Sequence, residues 1–124
     1  MKIILTALSV TAIILISTCA FADGDEKRGK ALFNDPKLSG SSFGVSCNTC
    51  HPGGKGLENS GATGKTVWRS CTGEQKSLEN SINSCILTAN KGQPIGLYSQ
   101  EMKDLVAYIK ALSKKKKRKN PKAG

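Results

Sequence analysis

Cys47-Asn48-Thr49-Cys50-His51 is the stretch on which the reading of this chain turns. Two cysteines separated by two residues, with a histidine directly after the second, form the C-x-x-C-H spacing that attaches haem c. Each thiol adds to one vinyl group of the porphyrin, and the neighbouring imidazole coordinates the iron. Three competing readings fit less well. A zinc site wants four ligands, commonly as two separated pairs, and no second Cys/His pair exists. A thioredoxin-like dithiol belongs in a βαβ setting, for which there is no pattern. A plain Cys47–Cys50 disulfide leaves the only histidine of the chain, His51, without a role. One motif implies one covalent haem c, held by Cys47 and Cys50 with His51 as proximal iron ligand. A single histidine also excludes bis-histidine ligation within one chain.

Working outward, residues 1–22 read as a secretory signal peptide. Lys2 precedes an apolar stretch from Ile3 to Ile16, and Ala20-Phe21-Ala22 places small residues at −3 and −1 of a cleavage site. The apolar stretch is shorter than the roughly 20 residues of a membrane span. A lipid anchor on Cys19 and an uncleaved anchor are the competing readings. Residues 23–113 then form one small domain, and 114–124 a basic tail. So small a domain buries a modest share of its surface, and a haem-sized group would supply apolar contact that the 5% aromatic content does not. The formal charge is +10, but much of the excess lies between Lys114 and Lys122, so the folded part is closer to neutral. Export implies a periplasmic or equivalent compartment and removes nucleic acid as a partner. It also makes thiols that are free of a partner unusual, and four cysteines follow the leader: Cys47, Cys50, Cys71 and Cys85.

The element pattern is all-α. Gly24 to Phe33 reads as a first helix, stopped by Asn34-Asp35-Pro36. Residues 37–46 and 53–64 are Ser- and Gly-rich loops. A second helix is expected from Leu78 to Asn90 with Ser77 as N-cap, placing Leu78, Ile82, Cys85, Ile86 and Ala89 on one inward face. A third runs from Gln100 to Ser113 behind the cap Ser99, burying Met102, Leu105, Val106, Ile109 and Leu112. No segment alternates as a strand. Long loops in a domain of this size argue for a cofactor that they wrap.

The segments GKALF, CNTCH and LVAYIKAL resemble a class I cytochrome c. The resemblance implies an all-α cytochrome c fold, about three main helices with long Gly-rich loops wrapped round one haem, and electron transfer. It also implies a close crossing of the terminal helices, with Gly29 and Phe33 facing Tyr108. A distal methionine is usual there, yet the sole methionine after the leader, Met102, has the spacing of a core residue. The run from Ser77 to Leu112 is similar to the haem domains of thiosulfate dehydrogenases and related sulfur-oxidising cytochromes. The matching residues are Ile82, Asn83, Cys85, Gly92, Pro94, Ser99, Glu101 and Met102. The small heterodimeric His/Cys cytochromes of anammox bacteria share its size and export signal.

That resemblance implies Cys85 as distal iron ligand, ahead of Met102. The alternative is a Cys71–Cys85 disulfide, with iron bound by Met102 or left five-coordinate. A thiolate stabilises ferric iron, so the expected function is a low-potential one-electron carrier rather than an enzyme. The other expectations are a haem protein that binds or senses NO or CO, and a haem subunit of a sulfur-oxidising complex. Lys114 to Lys119 reads as a solvated, disordered run, or as a site attracting an acidic redox partner or a membrane surface. A homo- or heterodimer fits the resemblance. Trp68 and Arg69 are candidates for the haem edge or a propionate, and Trp68 has an equal claim as plain packing.

Overall fold

In the computed structural model, residues 23–119 and 121 are described. The expected signal peptide, residues 1–22, lies outside the described residues. Helix α1 spans Glu26–Asn34, where the Asp25 carboxylate accepts the Arg28 N–H at 2.7 Å. Pro36 follows its end and forbids continuation. Helix α4 spans Gln100–Lys119, its first turn satisfied by the Ser99 hydroxyl, which accepts the Met102 N–H at 3.2 Å. Between them lie the short α2 at Cys47–Cys50 and α3 at Leu78–Cys85, which runs on as a π turn over Ile86–Asn90.

α1 and α4 cross closely, and Gly29 makes this possible. A Cβ on Gly29 would lie 1.9 Å from the Asp104 carbonyl oxygen and 2.9 Å from Tyr108 Cβ. With no side chain there the backbones meet, and Phe33 packs edge-on to Tyr108, ring centroids 5.1 Å apart. The crossing also carries a charge pair. Asp104, buried on α4, accepts from Arg28 Nε at 2.8 Å, from the Asp25 N–H at 2.7 Å and from Gln100 Nε2 at 2.9 Å. These donors, Arg28 foremost, hold the Asp104 carboxyl down at about 2. The α4 stripe Met102, Leu105, Val106, Ile109 and Leu112 is buried as its spacing requires, and Tyr108 joins it in the core.

Two features differ from the sequence reading. The chain is mostly helical but not purely so: β1 (Trp68–Ser70) and β2 (Gly73–Gln75) form an antiparallel hairpin with Trp68 opposite Gln75. Three-residue strands are too short for an alternating pattern to register. Secondly, α4 continues past Ser113 to Lys119. Lysine and arginine are good helix formers, and cations are favoured at the C-terminal end of the helix dipole. The basic run is thus helical as far as Lys119, not a disordered tail from 114. No helix among the described residues is long and apolar enough to cross a membrane.

Gly29→Ala is expected to force the two helices apart and lower stability by about 1–3 kcal/mol or more, read as a shift of the denaturation midpoint. Asp104→Ala is expected to cost about 2 kcal/mol at neutral pH. The native carboxyl titrates near 2 against an ordinary 3.8. Its contribution is therefore complete above the unfolded value and lost as pH falls through about 2. Acid unfolding curves of the two proteins should converge there.

Candidate haem-binding site

The attachment segment is held by its own turn. Ser46 caps α2, its hydroxyl accepting the Thr49 N–H at 3.2 Å while Thr49 Oγ1 accepts the Ser46 N–H at 3.1 Å. This reciprocal capping box fixes the short helix that spaces the two thiols. Asn48 Oδ1 accepts the Gly53 N–H at 2.8 Å and ties the following turn back to it. His51 Nδ1 lies 3.0 Å from the Lys55 carbonyl oxygen. A carbonyl only accepts, so Nδ1 carries the proton and Nε2 keeps its lone pair free for a metal.

Cys47, Cys50 and His51 line one cavity of about 650 Å³, within the range of about 300–1,000 Å³ usual for cofactor sites. Its walls come from every layer of the fold: Phe33 of α1, Leu78 and Ile82 of α3, and Leu105 and Ile109 of α4. Both Cys47 and Cys50 are free thiols. Burial pushes the Cys47 thiol up to about 11, so it is neutral at ordinary pH. Two free thiols, one imidazole with its lone pair exposed and an apolar wall suit a covalently held haem. Trp68 and Arg69 both line the cavity, as does Glu74, so the unforeseen hairpin forms one of its sides.

Cys85 also lines the cavity, but not as a free thiol. It is joined to Cys71 in a disulfide, with Cα atoms 5.1 Å apart. Of the two pairings the sequence left open for Cys85, this structure contains the disulfide rather than the distal thiolate. A sulfur bonded to sulfur lacks the thiolate charge that binds a metal. The hairpin produces this pairing. Its turn is drawn onto α3 by hydrogen bonds between Thr72 Oγ1 and Ser84 Oγ at 2.7 Å and between Ser70 Oγ and Ser84 Oγ at 3.1 Å. Met102, the lesser candidate, is 1% exposed in the core and does not line the cavity.

Asn83 fastens a loop that follows α3. Its side chain accepts the Ile95 N–H and donates to the Ile95 carbonyl, both at 2.8 Å, clamping the 91–97 loop to α3. Asn90 likewise donates to the Val45 carbonyl at 2.8 Å, beside the attachment segment. The sequence alone does not signal these roles, because their partners are backbone groups that only folding brings near. The Ser46-x-x-Thr49 spacing is the one local signal of such a clamp.

A family model described as SoxA/TsdA, cytochrome c domain, matches residues 28–117. No curated protein and no solved structure matches the chain. On denaturing gels stained for haem, the wild-type protein is expected to retain its colour, whereas Cys47→Ala/Cys50→Ala should lose it. A stained band in the double variant would refute covalent attachment at these positions.

Proposed function

The chain belongs to the SoxA/TsdA cytochrome c domain family, and on that premise we propose that it is an exported, monohaem, one-electron carrier. Within that family a cytochrome c domain is an electron-transfer module with covalent haem. The observation that carries the proposal for this chain is the convergence of Cys47, Cys50 and His51 on one apolar-walled cavity. When bound, the haem supplies a one-electron iron couple. The protein's part is to hold it through two thioethers, present His51 Nε2 and keep water from the buried face. Export is supported by the signal-like residues 1–22 and by attachment chemistry that takes place outside the cytoplasm. A single C-x-x-C-H supports one haem per chain, and argues against sulfur oxidation by the chain alone. Membership in an enzyme complex is the related alternative.

Ligation on the distal side depends on the thiol state of Cys71 and Cys85. With the pair reduced, Cys85 is proposed as the iron ligand, giving His/Cys ligation and a low potential, since a thiolate favours ferric iron. With the pair oxidised, as in the structure, a second reading gains support. Without Cys85 as a ligand, a haem held by Cys47, Cys50 and His51 would keep a coordination position for small gases such as NO or CO.

Electron paramagnetic resonance of the oxidised holoprotein and two variants separates these readings. Cys71→Ala, which frees Cys85, should show a low-spin thiolate signature and a lowered midpoint, and Cys85→Ala should show neither. Identical spectra from both variants, or a strongly positive midpoint in Cys71→Ala, would remove the His/Cys reading. Reduced wild-type protein that gives no spectral change with carbon monoxide would remove the gas-binding one.

A further inference from the structure

Beside the haem cavity lies a second concavity of about 420 Å³, between the 61–65 loop and α4. Its lining includes Lys65, Trp68, Lys110, Ser113, Lys114 and Lys117, and no acidic residue. Residues 110, 114 and 117 are spaced four and three apart, so they form one stripe on α4. The loop is brought against that stripe by Gly61. A Cβ there would lie 2.4 Å from Lys110 Cα, and the Gly61 N–H donates to Ser113 Oγ at 3.1 Å. Lys65 reaches in from the loop, its Nζ 6.0 Å from the centre of the Trp68 ring.

Two neighbouring lysines of α4 are engaged elsewhere. Lys115 pairs with Glu26 at 3.0 Å, and Lys116 donates to Asn59 Oδ1 at 3.2 Å. Lys65, Lys110, Lys114 and Lys117 have no ion-pair partner among the described residues. Four like charges line this groove with no acidic side chain among its lining, although Lys110 and Lys114 also border a concavity that holds Asp23, Glu26 and Glu79, and such an arrangement attracts an anionic surface. Lys65 and Trp68 line both this groove and the haem cavity, so whatever sits in the groove lies against the cavity wall.

We propose that Lys65, Lys110, Lys114 and Lys117 form a docking surface for an acidic partner protein that exchanges electrons with the haem. The proposal rests on the electron-carrier reading and adds the place and chemistry of the partner. The stripe extends over roughly 10 Å of helix, longer than a single oxyanion and suited to a row of carboxylates. A lipid surface would favour apolar side chains beside the cations. The exposed large hydrophobic residues Phe43, Val67, Leu87, Leu97 and Tyr98 do not line the groove.

The test compares full-length holoprotein with two variants of equal net charge. In one, the four groove lysines become Gln; in the other, Lys115, Lys116, Arg118 and Lys119 do. Stopped-flow oxidation of the ferrous proteins by hexacyanoferrate(III) at low salt should slow about tenfold in the groove variant and less than about threefold in the control. The difference should close at high salt. Affinity for poly-L-glutamate should fall in the groove variant alone. Equal losses in both variants would reduce the effect to net charge and overturn the proposal. Loss of binding to phosphatidylglycerol vesicles with retained poly-L-glutamate binding would assign the groove to lipid and overturn it too. A preparation without covalent haem would instead overturn the electron-carrier reading, and the poly-L-glutamate measurement would still decide whether the groove takes acidic chains.

Discussion

At Gly29 the backbone of α1 lies against that of α4, with no room for even a methyl group. The rest of the domain depends on this contact. It sets the depth at which Phe33 meets Tyr108 and places Asp104 where Arg28, Asp25 and Gln100 can all satisfy it. It also turns one face of α4 toward the cavity, so that Leu105 and Ile109 become the back wall for Cys47, Cys50 and His51. A crossing of two helices far apart in sequence thus builds the pocket for a motif that lies between them.

Around that frame the loops are held by polar clamps rather than by regular structure. Ser46 and Thr49 close the turn of the attachment helix, the Lys55 carbonyl orients His51, and Asn83 fastens the 91–97 loop to α3. Each clamp pairs a side chain with a backbone group of a loop or turn. Loops of this length can therefore stay ordered around a cofactor. The same economy of contact produces the basic groove, where one glycine approach and one serine hydrogen bond set Lys65 opposite the α4 stripe.

One side of the cavity is built by a small element. The β1–β2 hairpin carries Cys71 to Cys85 and lines the cavity with Trp68 and Arg69. It ties the Cys85 sulfur, on the cavity wall, to a thiol–disulfide state.

The linear chain by itself determined the attachment chemistry, because C-x-x-C-H is contiguous and its spacing is the chemistry. It also determined α3 and α4, whose apolar residues recur at helical period behind the caps Ser77 and Ser99, and α1 through its stop at Pro36. Met102 was legible as core for the same reason. Only the tertiary structure decided the partner of Cys85, since a ligating and a disulfide-bonded cysteine occupy the same position on the same helical face. It alone revealed the hairpin, whose strands are stabilised by packing on α3 and not by any local pattern. It alone assembled the lysine groove too, because Lys65 and Lys110 become neighbours only when a loop closes on a helix. Local periodicity is written in adjacent residues, whereas a choice between contacts distant in sequence is made by packing.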